Sequence, residues 1–249
     1  MTRKPEPLRL RIVTYNVHKC RGIDGRVHPA RIANILERLK PDVVALQEVI
    51  GNGPRGRGQE EEISDRLGMV SVLAPARVLR GHPYGNALLS RLPVQHQGGY
   101  DLTQDGFEPR LLQRIDISLE GQRVHIYNVH LGTSGKERAL QGRKLIHHLS
   151  DPAARGPKIL LGDFNEGIKG PATNLLNETF RNLDLFPFLR WCRTYPGILP
   201  LFHIDQIFYQ GHVKIVKATV PRTLSTFIAS DHMPILVELQ IANRSSEPG

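Results

Sequence analysis

The sequence predicts a single domain of mixed α-helices and β-strands arranged in layers. Three observations support this prediction: short apolar runs with strand-like alternation recur along the 249 residues, amphipathic helical segments lie between some of them, and no linker divides the chain. A chain of this length can bury a large core. One domain is expected over residues 1–249, with its core between about residues 8 and 241.

The first half of the chain alternates predicted strands and helices. Leu8–Tyr15 alternates apolar and polar residues, which predicts a strand. Residues 29–40 predict a helix, because Pro29 suits a first turn, the apolar residues share one face and Pro41 ends it. There follow a buried strand (Asp42–Leu46), a Gly-rich basic loop (51–59), a helix (Glu60–Leu67) and two strands (Met69–Ala74, Asn86–Ser90).

The second half repeats this organisation. Ser134 and Glu137 predict a capping box for a helix that ends near Leu149, and residues 171–200 are Pro-rich with short helices. Predicted strands are Leu111–Leu119, Arg123–Leu131, Lys158–Leu161, Phe202–Tyr209, Val213–Ala218 and Met233–Ile241. TYNVH (14–18) and IYNVH (126–130) each close a strand, as two similar halves would produce, and a chance match of five residues is the alternative.

Composition limits the partners and the compartment. The net charge of +9 and the pI near 9.8 favour nucleic acid, an anionic lipid surface or phosphorylated metabolites, although an Arg-rich chain with no anionic partner is the alternative. Cys20 and Cys192 are too few for a disulfide framework or a zinc site, which favours a reducing compartment. No apolar run approaches 18 residues and no signal-like segment is present, so the expected location is the cytoplasm.

Acidic, amide and imidazole residues recur at the ends of apolar strands. Strand ends in a layered fold meet at one edge, where carboxylates repel one another unless a cation neutralises them. Hard oxygen ligands of this kind predict a Mg²⁺ or Mn²⁺ site. Taken singly, each residue has a structural alternative, such as a turn for Asn16 or an Asx turn for Asp163. The set comprises Asn16, Glu48, His130, Asp163, Asn165, Asp205, Asp231 and His232.

The order of the motifs along the chain resembles the endonuclease/exonuclease/phosphatase superfamily, whose fold is that of DNase I. The motifs are TYNVH, LQE, GNALLSR, NVHL, GDFN, IDQIF and SDH, and the resemblance, closest to small bacterial members, extends from about residue 8 to 241. It implies an α/β (α+β) four-layer sandwich: two packed mixed β-sheets flanked by helices. It also implies metal-dependent hydrolysis of a phosphate ester.

The same resemblance implies roles for the strand-end residues. Glu48 matches the main metal ligand, with Asn16 and Asp231 beside it. Mg²⁺ is the implied cofactor, and Mn²⁺ competes with it because His18 stands where the abasic-site endonuclease branch has a carboxylate or an amide. The implied catalytic residues are Asp163 near the attacking water, Asn165 on a phosphate oxygen, His130, and His232 as a general base paired with Asp205.

Candidate substrate contacts lie outside this set. Arg55 and Arg57 occupy the Gly-rich loop, and Asn86 and Arg91 belong to GNALLSR. The alternatives are a surface loop for the two loop arginines, a strand-start hydrogen bond for Asn86 and a structural ion pair for Arg91. Trp191 and Tyr195 form an aromatic pair that either stacks bases or belongs to the core.

Three functions compete. The first is a nuclease that cleaves DNA, which the charge favours. The second is a phosphodiesterase or phosphatase for lipid head groups or small molecules, similar to sphingomyelinases or inositol phosphatases; it predicts an exposed apolar loop, for which residues 185–189 and 197–202 are candidates. The third is a non-catalytic binding module, which predicts the loss of at least one site residue. None of the expected carboxylates is missing, nor is the last histidine, so this third function is the least favoured.

Overall fold

Two β-sheets packed face to face form the centre of the molecule. The computed structural model describes residues 6–54, 56–182, 193–197 and 199–243. Each sheet has six strands, and helices cover the outer faces, so the predicted four-layer sandwich is confirmed. Arg55, Trp191, Cys192 and the apolar segment 185–189 lie outside the described residues.

The strands of the described chain are β1 (Leu8–Asn16), β2 (Val43–Ile50), β3 (Val70–Leu79), β4 (His82–Ser90), β5 (Val94–Asp101), β6 (Leu111–Leu119), β7 (Gln122–His130), β8 (Lys158–Asp163), β9 (Arg181–Asn182), β10 (Asp205–Gln210), β11 (Val213–Thr219) and β12 (Ile235–Ile241). The helices are α1 (Pro29–Leu39), α2 (Gln59–Leu67), α3 (Gly135–Leu149), α4 (Pro171–Asn177) and α5 (Leu224–Ala229).

The two sheets share one pattern of strand directions. Their orders are β11-β12-β1-β2-β4-β3 and β5-β6-β7-β8-β10-β9. In each sheet the third and fourth strands are parallel, and the other neighbouring pairs are antiparallel. The TYNVH and IYNVH segments therefore end at equivalent strands, β1 and β7.

Strand alternation divides the apolar residues between an inner core and two outer cores. On β1, Leu8, Leu10 and Ile12 pack between the sheets, whereas Val13 and Tyr15 pack beneath α1 and α2. The second sheet is built in the same way, with an outer core beneath α3 and α4. Both faces of the central strands are thus buried, which explains their near-continuous apolar runs.

Two observed elements were not predicted, and one predicted helix cap is absent. Strand β5 was not predicted, because VQHQGGYD is polar, Gly-containing and largely exposed at a sheet edge. Helix α5 was also not predicted, and it carries the capping box of the described chain, formed by Thr223 and Thr226. The capping box predicted at Ser134 is wrong: Ser134 precedes α3 without a side-chain cap, and the carboxylate of Glu137 accepts a hydrogen bond from Gln141 instead (2.9 Å).

Each helix within the described ranges is too short or too polar to cross a bilayer.

Gly162 lets β8 approach β7 immediately before Asp163. Its φ is +148°, and a Cβ at this position would lie 1.9 Å from the carbonyl oxygen of Val129. Both the backbone strain and the steric overlap oppose any side chain here. We therefore expect Gly162→Ala to lower the free energy of unfolding by roughly 2–5 kcal/mol, measured by urea denaturation followed by circular dichroism.

Gly99→Ala is the matched control. Gly99 also lies in a strand, but no atom falls within 4 Å of a Cβ placed there. This variant should stay within about 0.5 kcal/mol of the parent. Equal stability of the two variants would contradict the close approach of β8 to β7.

Candidate active site

Three adjacent strands bring His130, Asp163 and Asp205 into one row. His130 on β7 is directly opposite Asp163 on β8, and Asp163 is directly opposite Asp205 on β10. His232, from the segment before β12 of the other sheet, meets this row: its Nδ1 lies 2.9 Å from an oxygen of Asp205, and its Nε2 lies 3.6 Å from Asp163 Oδ2. The nearest ligand-type atoms of Asp163, Asp205 and His232 lie within 4.8 Å of one another.

Burial makes the charges in this row strongly interdependent. Burial opposes protonation of His232, but the charges of Asp205 and Asp163 outweigh it and raise the pKa of His232 to about 10. Burial likewise raises the pKa of Asp163, which the two histidines oppose. For His130 burial dominates and lowers the pKa to about 4. At neutral pH in the metal-free protein, His232 is therefore protonated and His130 is neutral.

This pairing also has a consequence for stability. A histidine with an ordinary pKa near 6.5 in the unfolded chain and about 10 in the folded chain binds its proton more tightly when folded. The stabilisation from His232 is fully present below about pH 6.5 and is lost as the pH rises through about 10.

A β-bulge directs Glu48 into the site. Gln47 and Glu48 of β2 together oppose Asn86 of β4, and Glu48 has a φ of +59°. Its carboxylate is paired with the Lys19 ammonium and lies 3.4 Å from the Asn16 side-chain nitrogen. Burial opposes ionisation of Glu48, but His130 and Lys19 outweigh burial and lower its pKa to about 2.

The turn that follows β1 has an unusual backbone. His18, Lys19 and Cys20 have φ values of +47°, +60° and +52°, each in the left-handed region. Such residues cost of order 1–3 kcal/mol each and persist only where their surroundings hold them. Here Asn16 Oδ1 accepts a hydrogen bond from the His18 amide (3.0 Å), and the Lys19 carbonyl accepts one from Gln59 (2.7 Å).

Asn16, Asp163 and Asn165 serve local structure and the site together. Asn16 caps the left-handed turn and donates to Asp163 Oδ2 (2.9 Å). Asp163 Oδ1 accepts from the Asn165 amide (2.8 Å), which is the Asx turn that was the alternative interpretation. Asn165 has a φ of +51°, and its side chain donates to the Leu131 carbonyl. The turn holds both groups at the rim of the site.

A cavity of about 380 Å³ opens onto this cluster. Six of the predicted residues line it: Glu48, His130, Asp163, Asn165, Asp231 and His232. Asn16 and Asp205 lie buried behind this lining, each 1% exposed. Asp231 lies at the rim, where one oxygen is 3.5 Å from His18 Nδ1.

Sequence reasoning missed several lining residues. Arg77 and Arg110 each pair with Glu108 at 3.2 Å and form a basic wall. They come from β3 and from the loop before β6, where no motif marks them. Lys19 directly follows the TYNVH motif, and this position could have identified it as a residue of the site. The other newly identified lining residues are Tyr84, Glu108, Thr133 and Ile204.

Three predicted substrate contacts, Arg91, Arg57 and Asn86, do not line the cavity. Arg91 donates to the Pro41 carbonyl at the opposite end of β2 from Glu48, and its contact with a substrate stays a prediction. Arg57 is exposed and pairs with Glu61 and Asp65 on α2, and it does not line the cavity. Asn86 lies opposite the bulge and is buried in the sheet rather than lining the cavity.

Tyr195 and Thr194 complete the surroundings of the His232–Asp205 pair. The Tyr195 ring lies 4.9 Å from the His232 ring and lines the cavity. The Thr194 hydroxyl donates to the same Asp205 oxygen that contacts His232. These contacts fix the orientation of the imidazole, which leaves its Nε2 directed at Asp163.

The donor set of the cavity fits a hard divalent cation. Glu48 is ionised, faces the cavity and already has a cationic partner in Lys19. Oxygens of Asp163 and Asp231 line the same space, and the Asn16 side chain lies behind them. Asp205 binds His232 and Thr194 through its Oδ2, whereas its buried Oδ1 has no hydrogen-bond partner among the described residues, and the residue does not line the cavity.

The fold and the site together define a DNase I-like sandwich with a buried carboxylate–histidine cluster at one end. The model of the endonuclease/exonuclease/phosphatase family matches residues 13–232. The chain therefore belongs to this family, whose members are hydrolases that act on phosphate esters.

Known proteins similar to this chain span most of its length. It is 27% identical over 252 residues to the uncharacterized protein YbhP of Escherichia coli, covering 93% of this chain and 96% of YbhP. The endonuclease/exonuclease/phosphatase of Beutenbergia cavernae superposes with a TM-score of 0.74 at 24% identity, covering 95% of this chain and 72% of that one. A mannosyl-6-phosphatase of Bacteroides thetaiotaomicron has a TM-score of 0.75 at 18% identity, with coverages of 92% and 99%.

The elevated pKa of His232 can be tested directly. In metal-free protein, the His232 imidazole should titrate at about pH 10, observed by two-dimensional ¹H–¹⁵N NMR of the ring nitrogens. Asp205→Asn should lower this pKa by roughly one to three pH units, because it removes the nearest negative charge. Asp65→Asn, at an exposed position on α2, should leave the titration unchanged. An unaltered titration in Asp205→Asn would show that the carboxylate does not control His232.

Proposed function

We propose that this chain is a divalent-metal-dependent hydrolase of phosphodiester bonds and that DNA is its substrate. The observation that carries the proposal is the Asp205–His232 pair, directed at Asp163 in the cavity that also contains Glu48. A phosphodiester is a stable anion, so its hydrolysis requires both charge neutralisation and an activated water. The cavity provides residues suited to each requirement.

His232 is the proposed general base. Its Nδ1–H donates to Asp205, which fixes the tautomer and leaves Nε2 to exchange a proton with water beside Asp163. His232 must first release its own Nε2 proton, so the rate should increase with pH. A divalent cation bound at Glu48 would supply Lewis-acid polarisation of the phosphoryl oxygen.

His130 and Asn165 are proposed to bind the phosphate. His130 is neutral at pH 7, and its Nε2 lies 3.6 Å from Asp163 at the cavity wall, where it can donate a hydrogen bond to a non-bridging oxygen. Asn165 offers its second amide hydrogen there, since the first is used by Leu131. Donors held by turns and strands need little reorganisation as charge develops.

The charge distribution supports a polyanionic substrate. The chain carries a net charge of +9, and Lys19, Arg77 and Arg110 line the catalytic cavity. This arrangement favours the approach of a nucleic-acid backbone. A non-catalytic binding module is disfavoured because the catalytic histidine His232 and the carboxylates Glu48, Asp163, Asp205 and Asp231 implied by the family resemblance are present.

A second candidate is hydrolysis of a lipid phosphate ester. Leu199, Leu201 and Phe202 are 64%, 49% and 56% exposed, and Phe202 pairs with the cavity residue Tyr195 through backbone hydrogen bonds. This is the exposed apolar segment that the lipid alternative predicts within residues 197–202. Such side chains beside a phosphoesterase site suit contact with a lipid surface.

The His232→Ala variant tests the proposed chemistry. Purified protein with Mg²⁺ or Mn²⁺ should cleave DNA, and His232→Ala should reduce kcat by about 10²–10⁴-fold, because general acid–base catalysis contributes that much. His147→Ala, which removes an exposed imidazole from α3, should retain parental activity. Plasmid, abasic-site duplex, single-stranded DNA, RNA, sphingomyelin vesicles and inositol phosphates should be compared in parallel.

Two results of this experiment would contradict the proposal. Hydrolysis of the lipid without cleavage of any nucleic acid would replace DNA by the second candidate substrate. Full activity in excess chelator would refute the metal-dependent mechanism.

The metal role of Glu48 has an independent test. Glu48→Gln removes the charge that faces the cavity, and Mn²⁺ affinity measured by isothermal titration calorimetry should fall roughly tenfold or more. Glu61→Gln is the matched control, because the Glu61 side chain lies on α2 outside the cavity and pairs with Arg57. Equal Mn²⁺ affinity in both variants would remove Glu48 from the metal site.

A further inference from the structure

A second cavity adjoins the catalytic one. It has a volume of about 500 Å³ and shares Lys19, Arg77 and Tyr84 with the catalytic cavity. Arg21 and Arg80 extend its cationic lining, and no Asp or Glu of the described chain contributes to it. Four cationic side chains thus surround a space outside the row of catalytic groups.

The cationic side chains of this cavity are only partly neutralised. Lys19 and Arg77 have their carboxylate partners, Glu48 and Glu108, in the catalytic cavity. Arg21 donates to the Gly25 carbonyl (2.8 Å), which carries no formal charge. Within the described chain Arg80 makes no ion pair or side-chain hydrogen bond, and the buried Nε of Arg77 has no partner.

Tyr84 separates the two cavities and holds the cations at their boundary. The Lys19 ammonium lies 5.9 Å from the centre of the Tyr84 ring, and the Arg77 guanidinium lies 5.0 Å from it. Tyr84 is itself 5% exposed, so it is a fixed partition. An anion on the outer side of Tyr84 would face Arg21, Arg77 and Arg80 but would lie away from Asp163 and His232.

We propose that this outer cavity binds a second phosphate group of the substrate, while the first phosphate reacts beside His232. This inference rests on the proposed function and specifies its substrate class as molecules that carry two phosphates. Arginine suits the role, because its planar guanidinium donates two parallel hydrogen bonds to a phosphate and cannot lose its charge. Arg80, which makes no ion pair within the described chain, and Arg21, whose printed partner is an uncharged carbonyl, provide donors for this anion.

The second phosphate has two chemical sources. One is the next phosphate along a nucleic-acid strand, and the other is a second phosphomonoester on a small molecule. Either source presents a second tetrahedral anion in the same molecule as the phosphate that reacts. Paired bis- and monophosphates of each type distinguish the two sources.

Direct binding provides a test that does not depend on catalysis. Metal-free protein in chelator is titrated by calorimetry with thymidine 3′,5′-bisphosphate and thymidine 5′-phosphate, and with fructose 1,6-bisphosphate and fructose 6-phosphate. In at least one pair the bisphosphate should bind roughly tenfold more tightly than the monophosphate, because it gains charge-assisted hydrogen bonds. The pair that shows this preference identifies the source.

Variants assign the preference to the outer cavity. The double variant Arg21→Ala/Arg80→Ala should lose the preference for the bisphosphate. Arg38→Ala/Arg66→Ala removes the same charge from exposed positions on α1 and α2 and should retain it. The inference is overturned if both ligands of each pair bind equally to the parent protein, or if Arg21→Ala/Arg80→Ala keeps the preference. The protein could prefer the bisphosphate and yet hydrolyse none of the substrates above. That result would support the second phosphate site and refute the proposed function.

Discussion

The structure depends on strand alternation across the shared interior of the two sheets. On each central strand, every second side chain faces the opposite sheet, so one row continues from the apolar core to the site. On β1 that row begins at Leu8 and ends at Asn16; on β7 it runs through Ile126 to His130. The candidate site is the polar end of the same row that forms the core. A shift in strand register by one residue would turn both the core residues and the site residues of that row away from the interior.

A buried polar layer separates the apolar core from the charged site. Gln47 donates to Asn128 across the sheets (2.8 Å), and Asn128 donates in turn to the Leu46 and Ala87 carbonyls and to Gln113. Such a layer is favourable only when its groups find partners, and these bonds join both sheets. It fixes their relative position immediately beneath the carboxylates. Asp163 and Asp205 belong to one sheet, and His232 precedes a strand of the other. The distances from His232 to the two carboxylates therefore depend on that alignment.

The sequence predicted the elements whose chemistry is local. The strands ending at Asn16, His130 and Asp163 were predicted because apolar alternation and polar strand ends are visible in one segment. The place of Arg110 in the cavity lining was not predicted. It enters the cavity from a loop, and its partner Glu108 also pairs with Arg77. The position of Arg91 outside the cavity was not foreseen for the converse reason. It follows a strand within a suggestive motif, but antiparallel β4 carries it to the end of β2 opposite Glu48.

The matching halves show why a repeated motif does not repeat a function. Asn16 on β1 and Asn128 on β7 occupy the same position of the repeated motif, yet Asn16 contacts Asp163 whereas Asn128 binds within the polar layer. The difference follows from length, because β7 continues on the inner face to His130 while β1 ends at Asn16 and turns left-handed. That turn directs Lys19 back over Glu48 and Arg21 toward the outer cavity. The longer β7 thus places the imidazole of His130 in the site. The strained turn after β1 instead places the cations of Lys19 and Arg21 there and in the outer cavity. The asymmetry of the cleft arises where two otherwise similar strands end differently.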